Sequence, residues 1–340
     1  MIRLLGTIVL GRRELLRAGT VIASATMLSK VMAGSEATSM TASMFKAAVL
    51  RVPVLVPPSI EQLQAVRQRN AEAMVAAIDG VMAGASKPRL LVFPVLQYTS
   101  SQRSVSGIPM SAVAVDLISE PLQNGIYAPV VEACRRHDCY VVTTTQEKTP
   151  QMPGIFFHTG FIMGPEGLVL RSPKAQVYSA PDVTSLRDIA PEYVRLFGAA
   201  SILPVVQTPI GRLGCFVEAE AEVMEAARLL VSKGAEIIVH PSAEREEVPW
   251  LAIKQATAYE CHVYLLTANS SRNVFAGDPA GQWGSGSSTI VGPDGRVMAT
   301  LGGREEGAAT ADLDLAAVAE ARRKFGPVTS PAGVLYKGLY

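Results

Sequence analysis

The chain has no block of basic residues beyond its N-terminal region, and 31 lysines and arginines against 30 aspartates and glutamates leave a formal net charge of +1. Nucleic-acid phosphates need a basic patch or stripe, so DNA or RNA is excluded as a first reading of its partners. Four cysteines (Cys134, Cys139, Cys215, Cys261) and four scattered histidines (His137, His158, His240, His262) show no C-x-x-C or Cys/His spacing. Neither a bound metal nor a cofactor is expected on that spacing. No apolar run is long enough to span a bilayer, so no stable membrane span is expected. Charged residues make up only 18% against 49% hydrophobic, with 28 glycines and 22 prolines, which excludes disorder and low complexity. What remains, at 340 residues, is a globular chain able to bury a large core.

The basic residues that do cluster lie at the start. Arg12 and Arg13, in Leu10-Gly11-Arg12-Arg13-Glu14-Leu15-Leu16-Arg17, precede the uncharged stretch Ala18–Leu28 and the small-residue pattern Val31-Met32-Ala33. That order resembles a twin-arginine signal, which is read by a translocase for folded cargo, so residues 1–33 are expected to be an export signal and 34–43 a flexible leader. A periplasmic or extracellular location follows. Loss of 1–33 brings the net charge to about −3. Cargo that folds in the reducing cytoplasm needs no disulfide to fold.

From residue 44 the pattern alternates between β and helical periodicity, the signature of a layered α/β fold. Phe45–Val54 reads as a strand, and Ser59-Ile60-Glu61-Gln62 as a capping box opening a helix that stops at Gly84. Arg89–Phe93 and Cys139–Thr145 read as strands, with a helix over Ala128–His137 between them. Gly164-Pro165-Glu166-Gly167 is expected to turn a hairpin. The second half repeats the theme: strands Leu213–Val217, Glu236–His240 and Val263–Ala268, helices Ala221–Ser232 and Trp250–Glu260, and a hairpin around Gly292-Pro293-Asp294-Gly295. No linker splits residues 44–326, and the tail 327–340 is free to reach a neighbouring subunit.

Six segments in order resemble the nitrilase, or carbon-nitrogen hydrolase, superfamily. They are Leu90-Leu91-Val92-Phe93-Pro94, Gly211-Arg212-Leu213-Gly214, Lys233 through Pro241, Ala256–Asn269, Gly286 through Gly295 and Ala311-Asp312-Leu313-Asp314-Leu315. The resemblance, closest in kind to aliphatic amidases, implies a four-layer αββα sandwich that forms homodimers or higher homo-oligomers. It also implies a Glu-Lys-Cys triad: a thiolate that attacks an amide or nitrile carbon, a glutamate that moves protons and a lysine that stabilises the oxyanion.

The match at those positions is incomplete. The family glutamate follows the proline of the first motif, where Val95 stands. The lysine position carries Lys174, and a further acid eight residues on is Asp182. The nucleophile position, four residues beyond Gly214, carries Glu218. Cys215 lies three residues from that elbow, pointing to the other face of a strand, and reads as a buried core thiol. A carboxylate attacking an amide gives an easily reversed mixed anhydride, and valine cannot transfer a proton. The expected role is therefore a non-catalytic homologue holding a small amide- or nitrile-like ligand or a partner.

Two alternatives stand beside it: an active hydrolase with Lys174 as oxyanion donor and Glu218 or Asp182 as base, and a structural subunit paired with an active family member. A Glu218–Lys174 ion pair is expected in either inactive case. His158 and His240 read as satisfied core or strand-end histidines. Glu244, Arg245, Glu246 and Glu247 form a polar loop that lines a pocket or is simply solvated. Trp250 and Trp283 are the only tryptophans, and Trp283, in the Gly-rich loop Gly277–Gly286, rims the pocket or packs in the core. A loop insertion near Val95 would allow another acid, such as Glu120, to reach the site.

Overall fold

The computed structural model describes residues 44–97, 108–117, 125–176, 183–244, 247–270, 284, 286–303 and 306–325. The leader, Asp182, Glu120, Arg245, Glu246, Trp283 and the tail lie outside them. In chain order the elements are β1 (Met44–Arg51), α1 (Leu63–Ala83), β2 (Leu90–Val92), α2 (Met110–Val113), α3 (Ala128–His137), β3 (Tyr140–Lys148), β4 (Phe156–Gly164) and β5 (Gly167–Pro173). Then come α4 (Leu186–Phe197), β6 (Val205–Thr208), β7 (Gly211–Cys215), α5 (Met224–Ser232), β8 (Ile237–Ser242), α6 (Glu247–Cys261), β9 (Tyr264–Asn269), β10 (Ser288–Val291), β11 (Val297–Leu301), β12 (Gly307–Asp314) and α7 (Leu315–Phe325). None of the described helices is long and apolar enough to cross a membrane.

The strands form two six-stranded sheets, ordered β12-β1-β2-β3-β4-β5 and β11-β10-β9-β8-β7-β6. Each has a parallel trio at its centre, β1-β2-β3 in one and β7-β8-β9 in the other, extended by antiparallel neighbours. Parallel strands buried on both faces must be apolar at successive positions, and these are. Ala47, Val49, Leu90 and Val92 face Leu213, Ile237, Val239 and Leu266 in the core between the sheets. The alternate residues Ala48, Leu50 and Leu91 pack on Met74, Ile78 and Met82 of α1 and Val130 and Val131 of α3. On the far side Ile238 and Leu265 pack under Leu230 of α5 and Ala258 of α6. The result is the expected four-layer αββα sandwich.

One close approach sets the spacing of the layers. Gly160 of β4 faces β7 so closely that a Cβ there would lie 2.5 Å from Cys215 Sγ and 3.0 Å from Val217 Cγ2. Real Cβ atoms do not tolerate that distance, so glycine is the residue that lets the sheets meet here.

The boundaries depart from the sequence expectation in several places: β1 ends at Arg51 rather than Val54, β7 at Cys215 rather than Val217, and α5 opens at Met224 rather than Ala221. The helix expected to open at Ser59 begins at Leu63. Residues 59–62 form turns instead, with the Gln62 and Leu63 N–H groups on the carbonyls of Ser59 and Ile60. The Ser59 hydroxyl serves the Glu61 carboxylate, lowering its pKa, rather than capping the helix. Helices α2 and α4 and strand β6 have no counterpart among the expected elements; Pro191 lies inside α4, which kinks at Ile189 (φ −132°, ψ 21°).

Candidate functional site

The described strand ends bring Lys174, after β5, and Glu218, after β7, into contact, and Val95, after β2, connects to them through Leu96, Thr144 and His158. Asp182, the fourth, lies outside the described residues. Val95 is fully buried and packs with Leu96 and Ala243. Its segment turns sharply, Leu96 adopting φ +51°, and it is pinned to β3 by hydroxyls: Thr143 donates to the Pro94 carbonyl, and Thr144 Oγ1 accepts the Leu96 N–H at 2.8 Å.

Lys174 is held by its backbone, its N–H on the carbonyl of His158 and its own carbonyl accepting from Leu186. Glu218 begins a short 3-10 turn (Glu218–Glu222) and has φ +51°, a left-handed conformation that costs a side-chain-bearing residue about 1–2 kcal/mol. Surrounding bonds hold it there. His240 Nε2 donates to the Glu218 carbonyl at 2.8 Å, while His240 Nδ1 meets Thr267 Oγ1 at 3.0 Å and the ring stacks on Trp250. Burial, then the charge of Lys254, push the His240 imidazole down to about 3, so it serves as a neutral strut.

At the centre, Glu218 Oε2 takes Lys174 Nζ at 3.0 Å and lies 3.4 Å from His158 Nδ1. His158 Nε2 lies 2.6 Å from Thr144 Oγ1. Because that hydroxyl already accepts from Leu96, its own proton is free for Nε2, which leaves Nδ1–H facing the carboxylate. Burial opposes ionisation of Glu218, but Lys174 and His158 outweigh it and hold the carboxyl well below the usual carboxylate range.

Two residues on, Glu220 is fully buried and accepts from the backbone N–H groups of Ala175, Gln176 and Val217. One carboxylate thus staples the residues after Lys174 to the residue before Glu218. Its hydrogen-bond partners among the described residues are backbone N–H groups, and burial pushes it up to about 7.

Behind the elbow lies a second Lys–Glu pair, Lys254 Nζ to Glu244 Oε2 at 2.9 Å, with both side chains at most 1% exposed. Glu244 therefore belongs to a sealed pair rather than a solvated loop, and burial raises its pKa. Cys215 is buried in the inter-sheet core as expected, and burial pushes its thiol well up, which disfavours the thiolate form. His158 and His240 are buried and satisfied, also as expected, but their partners are the side chain and backbone of Glu218. Sequence reasoning missed this, and it missed Thr144 and Glu220; the one local signal was the alternation of acids at 218, 220 and 222 with alanines just past the elbow. Among the described residues no group of three or more His, Cys, Asp or Glu side chains could hold a metal ion.

The family model for carbon-nitrogen hydrolases matches residues 48–323. The chain belongs to the carbon-nitrogen hydrolase family. A bifunctional nitrilase/nitrile hydratase of Lupinus angustifolius is 31% identical over 147 residues, which is 39% of this chain and 42% of that protein. The chain thus spans less than half the length of the curated relative it matches. Among solved carbon-nitrogen hydrolase folds, Saccharomyces cerevisiae Nit3, of branch 10 of the nitrilase superfamily, superposes with a TM-score of 0.65 at 18% identity, covering 83% of this chain and 94% of Nit3. The carbon-nitrogen hydrolase of Helicobacter pylori G27 does so with 0.63 at 18% identity, covering 87% and 98%. At these identities the likeness carries the fold, and the chemistry of this carbon-nitrogen hydrolase family member has to be argued from its own residues.

Proposed function

We propose that this carbon-nitrogen hydrolase family member binds a small polar ligand without cleaving it, and that its twin-arginine-type leader delivers it outside the cytoplasm. The observation that carries the reading is the 3.0 Å contact between Lys174 and Glu218 at the elbow. A lysine that stabilises an oxyanion must offer its charge to the developing alkoxide; here a resident carboxylate takes it. A carboxylate nucleophile would yield a mixed anhydride, and Val95, buried against Leu96 and Ala243, supplies no proton for a leaving amine.

The test is ammonia release by the chain starting at Gly34, over a panel of aliphatic and aromatic amides and nitriles, beside Lys174→Ala. No release is expected from either protein. Release that depends on Lys174 overturns the reading in favour of a hydrolase rebuilt around another nucleophile or base.

A further inference from the structure

The ion pair at the elbow is only half used. Glu218 spends Oε2 on both Lys174 and His158, Oε1 has no hydrogen bond among the described residues, and the side chain is 20% exposed. Lys174 spends one of its three N–H groups on Glu218 and has no other side-chain partner among the described residues; its side chain is 9% exposed. A fixed negative and a fixed positive charge therefore stand side by side, each with hydrogen-bonding capacity left over.

That juxtaposition sorts ligands by charge. A carboxylate drawn to Lys174 meets Glu218 within a few ångströms, and an ammonium or amidinium drawn to Glu218 meets Lys174. Each gains from one member of the pair and is repelled by the other. A neutral amide is repelled by neither but collects no charge–charge attraction. A ligand carrying both charges, laid antiparallel to the pair, collects both. In an α-amino acid the ammonium and the carboxylate stand at the two ends of a single N–Cα–C unit, so one small head presents both charges to the neighbouring Lys174 and Glu218 at once.

We propose that the ligand of this site is the zwitterionic head of a free α-amino acid, its ammonium on Glu218 Oε1 and its carboxylate on Lys174 Nζ. The proposal rests on the reading that the site binds without cleaving. Glu218 suits the task because Lys174 and His158 hold its carboxyl well below the usual carboxylate range. Thr144 and His158 hold it in place from the first sheet and His240 from the second, so little ordering remains to be done on binding.

Four ligands on one carbon skeleton test it: alanine (zwitterion), alaninamide (cation), propionate (anion) and propionamide (neutral), measured at pH 7 on the full chain by calorimetry and thermal shift. Alanine is expected to bind at least about tenfold tighter than each of the other three, and Glu218→Gln and Lys174→Met each to lose at least that factor. Propionamide binding as tightly as alanine, four equal affinities, or no binding of alanine overturns the proposal. Should either variant fail to fold, the ranking on the unmodified protein decides alone. Ammonia appearing from propionamide or alaninamide in a Lys174-dependent way sinks the non-cleaving reading instead, whatever the ranking.

Discussion

Two lysine–glutamate pairs lie near each other in the second half of the molecule with nearly the same separation, 3.0 Å for Lys174–Glu218 and 2.9 Å for Lys254–Glu244. Their surroundings differ. Glu244 is sealed beneath α6, and burial raises its pKa. Glu218 is 20% exposed, has the His158 ring nitrogen as a second partner on the same oxygen, and is held low. Contact distance alone therefore does not say what a pair does. The sealed pair is out of a ligand's reach, whereas the less buried one has an oxygen and two N–H groups without a partner among the described residues.

The contrast can be broken from its sealed side first. Glu244→Gln leaves the Lys254 ammonium buried and unpaired, and is expected to cost about 3–5 kcal/mol, read as a fall in the urea midpoint. The next largest effect concerns Glu220, which is buried with backbone N–H groups as its hydrogen-bond partners among the described residues. Its folded pKa of about 7 stands above the ordinary 4.5, so the folded state holds the proton more tightly. The stability linked to it is full below pH 4.5 and is lost as pH rises to 7, on the order of 3 kcal/mol. Urea midpoints at pH 5, 6 and 7 should show Glu220→Gln flattening that slope.

Glu218→Gln, which removes the less buried pair's negative charge but keeps a hydrogen-bonding group, is expected to cost less, about 1.5–3 kcal/mol at pH 7. Because the Glu218 pKa is depressed, the stability it gives is present above about pH 4.5 and lost on further acidification, so variant and parent should converge in acid. The smallest effect sharpens the scale: Lys46–Asp312, at 2.7 Å, has side chains 36% and 53% exposed. Lys46→Ala should shift stability by less than about 1 kcal/mol, and the shift should shrink in salt.

Much of the frame was legible in the sequence because apolar parallel strands and Gly/Pro turns leave local marks. Leu90-Leu91-Val92 and Ile237-Ile238-Val239 could hardly be anything but doubly covered strands. The pairing of Lys174 with Glu218 was also anticipated, through the resemblance and not through periodicity. Helix α4 was hidden by Pro191, which argues against a continuous helix even though the structure accommodates it with a kink. The roles of Thr144, His158 and His240 were invisible for a different reason. Each is defined by a partner 14 to 60 positions away, and a histidine on an apolar strand looks the same whether it braces a core or a carboxylate. Glu244–Lys254, ten residues apart across a strand end and a helix, was likewise read as a loop acid.

Gly160 has an evolutionary consequence. It touches Cys215 and Val217, the two residues that lead into the elbow, so the gap between His158 on one sheet and Glu218 on the other is gauged by a missing side chain. Drift at position 160 is therefore tied to position 215: an alanine at 160 is acceptable only once the sulfur opposite has been exchanged for something smaller. A lineage carrying this site should vary at those two places together or at neither. A survey of paired substitutions there would reveal which relatives have kept the same gauge.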